Sequence, residues 1–411
     1  MTTGTKSAEV HRLDVLDALR GFALLGILII NSMSILAVNG STPAFSVSIP
    51  AADRFLQDAV LFFVESKFFT IFSLLFGISF AIQIQSAERQ GTQFLPRITR
   101  RLLALLIFGL LHIVLLWDGD ILVIYALTGA LLIAFRKTSF VRLRRWIIGL
   151  LAVPSVAVFL GFLWTLLARR STSGAEMLAR SDESLRVSFA DTSATEKLLT
   201  NGYLETVADR IHTYLDLSPL LLSRIPTVLA MFLLGLYLGR SKIVWDLDNY
   251  RSLLGRVRFW GLLSGFSLMA LIVASTKLLP ATSALVAIIE DQYLAGPILC
   301  LGYAATFVLA YQRNPDSRVF RLLSPVGQMA LTNYLMQSLV MTGIAYGWGF
   351  GRALTLSGFQ VLGLALCLFL AQVMLSRLWL SFFKYGPMEW VWRCATYWRI
   401  VPIRKHASHS G

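Results

Sequence analysis

His112, Asp118 and Asp120 are the residues whose types are best suited to moving a proton. His112 stands in the apolar run Leu110-Leu111-His112-Ile113-Val114, where a neutral imidazole could serve as a general base. An imidazole hydrogen-bonded to a neighbouring helix would fit the same place. Asp118 and Asp120 flank Gly119 about two to three turns further on. Asp120 is placed to cap the next helix, which leaves Asp118 to orient a substrate or a cation. Asn31 interrupts another apolar run and acts either as helix–helix glue or as a site ligand. Asp17 and Arg20 are spaced to neutralise each other on one helix face. Glu65 and Lys67 precede a run of phenylalanines, where they pair with other charges, meet a substrate or snorkel. Gln328, Thr332, Asn333, Tyr334, Gln337 and Ser338 form a polar stripe on one helix, of the kind that borders a hydrated cavity; Tyr125 belongs to the same polar set. In a bilayer an ionisable group at mid-depth costs roughly 2.5–3.5 kcal/mol on insertion scales, so such groups tend to face an interior site.

The elements that must position these groups are membrane spans. A span needs about 20 mostly apolar residues. Ten stretches qualify, at 18–38, 67–85, 102–117, 121–135, 146–168, 219–239, 259–277, 293–311, 326–346 and 354–376. With residue 1 in the cytoplasm, the inner loops carry Arg89, Arg97, Arg100 and Arg101, then Arg136, Lys137, Arg142, Arg144 and Arg145, then further clusters at 240–258 and 313–321. The short outer connections offer only Arg54, Arg352 and, at an edge, Lys277. This is the positive-inside asymmetry. The expected fold is an all-α, polytopic transmembrane helix bundle of about ten spans with both termini cytoplasmic, forming one integral membrane domain over 1–411.

Composition agrees. Of 411 residues, 56% are hydrophobic and only 15% charged, outside the range of soluble domains. The net charge of +14 comes largely from inner loops and the tail facing anionic headgroups, so nucleic acid is not an expected partner. Cys300, Cys367 and Cys394 share no metal spacing and read as small apolar residues; no metal site is expected. Met1–His11 is polar, and Phe22–Ile30 reads as a retained span rather than a signal peptide. Residues 39–66 read as an outer loop passing into a re-entrant half-helix, with Phe55, Ala59, Phe62 and Phe63 on one face. The insertion 169–218 is extracytoplasmic, with a short amphipathic helix at Glu196–Tyr214. In the cytoplasmic tail 377–411, Leu380–Tyr397 reads as one interfacial helix rich in aromatics and cations.

Five stretches together resemble the YeiB-like family of bacterial multi-pass membrane proteins (DUF418): Leu13 to Ile27 with Asn31; Glu65 to Gly77; Gly119 to Leu122 with Tyr125; Gly327 to Ser338; and Gly386 to Arg393. The resemblance implies a bacterial plasma (inner) membrane location. The family is more distantly similar to transmembrane acyltransferases such as heparan-alpha-glucosaminide N-acetyltransferase. In that relative the catalytic histidine lies just before the second shared span; the matching stretch here, 39–66, has no histidine.

Two functions follow as expectations. In the first, an acyl-CoA donor enters from the inner side, its phosphates meeting Arg97, Arg100, Arg101, Arg142, Arg144 and Arg145. A glycan or lipid acceptor approaches from outside past Asp118 and Asp120. His112 is the base, Asn31 or Asn333 steadies the oxyanion, and Glu65, Lys67, Tyr125, Gln328 and Gln337 border the substrate. No tightly bound cofactor is needed; acyl-CoA is the donor substrate. In the second, the same groups line the pathway of a transporter or exporter for a small polar or amphipathic solute. On either view membrane lipids are partners, and a homodimer is compatible. The polar groups should meet in a cavity between spans one, three, four and nine that opens near Asp118 and Asp120.

Overall fold

A computed structural model describes residues 3–36, 50–190, 197, 199–241, 243–278 and 291–405. The described residues form helices without strands: α1 Thr3–Ile35, α2 Ala51–Phe63, α3 Lys67–Arg89, α4 Phe94–Leu115, α5 Leu122–Ala134, α6 Phe140–Ala168, α7 Thr172–Ala190, α8 Tyr203–Leu222, α9 Ile225–Arg240, α10 Arg251–Leu278, a π-turn at Asp291–Ala295, α11 Gly296–Arg313, α12 Arg318–Gln328, α13 Ala330–Ala345, α14 Gly358–Phe382 and α15 Pro387–Tyr397.

The apolar residues divide into two sets. One is a packed core running through α1, α3, α5, α9, α13 and α14. The other is an exposed apolar coat, including Ile148, Val153, Phe159 and Leu160 of α6, Leu271 of α10, and Met374 and Leu378 of α14. A coat of this extent would be insoluble in water and is natural against acyl chains. Among the described residues, seven units are long and apolar enough to cross a bilayer, and the pair α8–α9, bent by 57°, makes an eighth if taken as one span. This is a multi-pass membrane protein. Each of the ten expected stretches coincides over most of its described residues with helix, but α5 (13 residues) and α13 (16 residues) are shorter than a straight crossing requires.

Close helix crossings rest on small residues. A Cβ on Gly77 of α3 would lie 2.1 Å from Phe232 O of α9, and one on Gly235 would lie 2.2 Å from Leu74 O. Only hydrogen at these positions lets the two backbones approach this closely.

Several expected boundaries move. The span at 326–346 breaks at Met329, because the Glu389 carboxylate of α15 accepts from Leu331 N (2.6 Å), Thr332 N (3.0 Å) and Thr332 Oγ1 (2.6 Å) and so satisfies the orphan donors of a new helix. The tail is two helices rather than one. Residues 383–386 interrupt the helix, with Gly386 extended ahead of Pro387, since the residue before proline disfavours helical backbone. α2 buries Asp53, Leu56, Gln57, Val60 and Leu61 and leaves Phe55 and Phe63 outward. Phe62, on the same face as those two, is half-buried and stacks on Phe266 of α10. The part of the expected outer segment lying at 39–49 is outside the described residues. In the insertion, the expected helix begins at Tyr203 and continues to Leu222, and its first residues fall outside the described set.

Candidate functional site: a buried relay at the end of a basic-mouthed cavity

The α4–α5 hairpin brings His112 and Asp120 together. His112 Nδ1 lies 3.0 Å from Asp120 Oδ1, an ion-pair distance with poor hydrogen-bond alignment. On its other side Nε2 lies 2.8 Å from the Ser338 hydroxyl of α13. Asp120 Oδ2 accepts from Val123 N at 2.7 Å, which fixes the carboxylate at the first turn of α5. Gly109 makes the hairpin possible, because a Cβ there would meet Val123 N at 2.8 Å and Asp120 Oδ2 at 3.0 Å. His112, Asp120 and Ser338 are all nearly fully buried. An ionised carboxylate can only accept, so it favours the proton on Nδ1, leaving the Nε2 lone pair to accept from the Ser338 hydroxyl. Carboxylate, imidazole and hydroxyl therefore stand in the order required to activate a nucleophile.

The Tyr334 ring packs against His112 with centroids 5.1 Å apart. Its hydroxyl, close to the Ile121 backbone, makes no well-formed hydrogen bond among the described residues. Tyr334 also marks the inner end of a cavity of about 380 Å³. That cavity is walled by Leu24 and Ile27 of α1, Phe72 and Phe76 of α3, and Ile121 and Tyr125, and its lining continues to Arg20, Arg97, Arg101 and Arg393 at a basic mouth. Tyr125 is held there by donating to Phe69 O at 2.8 Å, with Ser73 Oγ 2.9 Å away. The mouth runs into a second pocket of about 530 Å³ lined by Arg97, Arg100, Arg393 and Arg399. Arg101 Cζ lies 4.0 Å from the centre of the Trp392 ring, whose indole donates to Arg101 O at 2.8 Å. A cavity does lie between spans one, three, four and nine, with span two added. Of the polar groups expected to meet in it (Asn31, His112, Tyr125, Asn333 and Gln337), however, only Tyr125 lines it, and Asp118 and Asp120 are not in its lining, whose charged residues are at the basic end.

Not every expected site residue joins this cavity. Gln328 lines its mouth. Asn333 and Gln337 are instead committed to helix–helix bonds. Asn333 Nδ2 donates to Val326 O (3.1 Å) and Ser376 Oγ (2.9 Å), and Gln337 Nε2 donates to Gln372 Oε1 (2.8 Å). Lys67 is fully buried and is held by Asp291 Oδ1 (2.8 Å), Asp291 Oδ2 (3.0 Å) and Leu61 O (2.9 Å), which leaves nothing for a substrate. Glu65 is half-buried at the α2–α3 break, in the field of Lys67 and Arg224. Asn31 is half-buried on α1 and lines neither pocket. Arg144 and Arg145 are exposed on α6, which packs on α9 away from the mouth, and line neither pocket. Arg393 and Arg399 of the tail take their place. Asp118 is half-buried beside the relay. Burial pushes its carboxyl above the usual carboxylate range, and the nearby Arg210 and His112 offset this only in part. Asp291 is absent from the expected set, although a carboxylate opening an apolar span is costly by the same rule that singles out His112.

Residues 238–399 match the family described as "Protein of unknown function (DUF418)". The chain is 32% identical over 417 residues to "Uncharacterized protein YxaH" of Bacillus subtilis (strain 168), with 96% of each chain covered. It is 30% identical over 411 residues to "Uncharacterized protein YeiB" of Escherichia coli (strain K12), covering 93% of this chain and 95% of the relative. The chain belongs to the DUF418 family. A protein of Bacillus acidopullulyticus, "Uncharacterized 39.9 kDa protein in amylase 3'region", is 29% identical with 96% of each chain covered. The likeness to this YeiB-like group runs end to end. No solved structure matches this DUF418 protein.

Proposed function

We propose that this protein transfers an acyl group from a thioester donor at the basic mouth to an acceptor reaching the relay from the hairpin end. The observation that carries the reading is the buried Asp120–His112–Ser338 relay, adjoining through Tyr334 a cavity whose mouth is ringed by arginine. The arginines suit the phosphates of an acyl-CoA, and the narrow apolar interior suits its pantetheine arm and acyl chain. On this reading the mouth faces the cytoplasmic side of the bacterial plasma membrane, the side that the loop charges favour and where acyl-CoA is available.

The chemistry divides in two. After Tyr334 swings aside, Ser338 Oγ attacks the thioester carbonyl carbon while its proton passes to His112 Nε2. The C–S bond breaks, and the thiolate leaves with that proton. An acceptor hydroxyl or amine then attacks the acyl-serine carbonyl and gives its proton to His112, which returns it to Ser338 Oγ as the ester breaks. Asp120 holds the imidazole in the required tautomer. Two half-reactions let the donor and acceptor never meet, which suits substrates on opposite faces.

The test is incubation of the purified full chain with acetyl-CoA. Thiol release and an acetyl group on the Ser338 peptide, both lost in Ser338→Ala, are expected. A protein that neither binds nor consumes acyl-CoA, yet moves a solute when reconstituted in vesicles, would replace this reading with transport and make His112 a proton-relay group.

A further inference from the structure

On the far side of the relay from the basic mouth, three buried hydrogen-bond donors have no acceptor among the described residues. Arg210 of α8 is 1% exposed, and its Nε donates to Thr206 O at 3.1 Å in its own helix. Its Nη1 and Nη2 are buried without a partner among the described residues. The buried indole Nε1 of Trp348, in the α13–α14 connection, also lacks one. Both side chains pack against the Tyr203 ring. Arg210 Cζ lies 5.3 Å from its centre, and Trp348 stands edge-on to it with centroids 5.5 Å apart. Tyr203 is itself anchored, its hydroxyl donating to Leu115 O at 2.7 Å at the end of α4. Asp118 is in electrostatic range of Arg210, yet it leaves both terminal nitrogens without a hydrogen bond.

A guanidinium presents five donors and no acceptor, and an indole presents one donor and no acceptor. Buried charge without a partner costs several kcal/mol, so such a group is retained where a ligand completes it. The planar fork is suited to two oxygens of one anion, and the Trp348 N–H supplies a third donor. We infer that Arg210 and Trp348, set on Tyr203, form an oxyanion-binding site for a phosphate or carboxylate group on the hairpin side of the relay. The site stands whether or not acyl transfer occurs. Resting on that reading, it assigns the acceptor an anionic group. Two sources share the chemistry: a soluble anion, and a phospholipid headgroup arriving along the exposed apolar face of α8, where Leu204 and Leu215 are turned outward.

The experiment uses the full chain in maltoside micelles, in an Arg97→Gln/Arg100→Gln background that weakens phosphate binding at the mouth. Thermal unfolding is followed against sodium phosphate at constant ionic strength, and separately against phosphatidylglycerol compared with diacylglycerol. A rise in midpoint with phosphate, lost in Arg210→Gln, is expected for a soluble anion. A rise with phosphatidylglycerol alone, again lost in Arg210→Gln, identifies the headgroup. Trp348→Phe keeps a ring on Tyr203 and removes one donor, so the effective concentration should rise about tenfold, or about 1.4 kcal/mol. That shift alone decides for or against the site if Arg210→Gln fails to fold. Equal responses in the parent and these variants, or no response to either probe, would overturn the site. Neither arm involves thioester turnover, so failure of acyl transfer would leave this result standing.

Discussion

The relay makes sharp demands on single atoms. Asp120→Asn keeps an oxygen for Val123 N but turns an amide N–H toward His112 Nδ1, which favours the tautomer with its proton on Nε2. Thioester consumption should fall by about 10⁴ with the unfolding midpoint little changed, as expected when the histidine is held in the wrong tautomer. His112→Gln should cost on the order of 10²–10⁴ in the same assay through loss of the base. Asp118 supplies the pH dependence. Its carboxyl is raised above the ordinary 3.8 chiefly by burial, so the folded state holds its proton more tightly than the unfolded chain does. Stability from this group is therefore present at low pH and is lost as pH rises from about 4 through the raised value. Asp118→Asn should flatten that slope and be at least as stable as the parent at pH 7. A denaturation series from pH 4 to pH 7 on both proteins reads the difference directly, and a steeper loss in the variant would contradict it.

At the scale of helices, buried polar groups act mainly as fasteners. Lys67 of α3 and Asp291 of the π-turn are 0% and 1% exposed, so removing one partner strands the other charge in a dry interior. Lys67→Met should cost about 3–5 kcal/mol in reversible unfolding, and adding Asp291→Leu should recover most of it. Recovery distinguishes a structural pair from a site residue, because activity should return with stability. The α3–α9 crossing responds to size instead. Gly235→Val places a side chain where even a Cβ comes within 2.2 Å of Leu74 O, and overpacking of this kind typically costs about 1–3 kcal/mol. Asn333, Gln337, Gln372 and Ser376 belong with these fasteners. In the sequence, Asn333 and Gln337 read as part of a cavity-lining stripe, because periodicity shows which residues share a face but not which helix covers it.

For the whole molecule, the loop charges predict both termini and the basic mouth on the cytoplasmic side. In a background with Cys367 and Cys394 replaced by serine, cysteines at Ser171 and Ser381, both exposed, should label from opposite faces of intact vesicles. Labelling of both from one face would invert the assignment of donor and acceptor sides. The sequence by itself determined the all-helical membrane fold and the position of the apolar helices, because apolar length and loop charge are one-dimensional properties that the bilayer reads directly. It also singled out His112, Asp118 and Asp120, whose cost in lipid is legible one residue at a time. It assigned Asp120 the cap alone and Asp118 the orienting role, however, whereas Asp120 both accepts from Val123 N and faces His112. Only the tertiary structure decided that Ser338, 226 residues along the chain, completes the relay, that Asp291 takes Lys67 out of the site, and that Arg393 and Arg399 rather than Arg144 and Arg145 build the mouth. These are pairings between distant segments, set by which helices pack together, and nothing in local spacing specifies them.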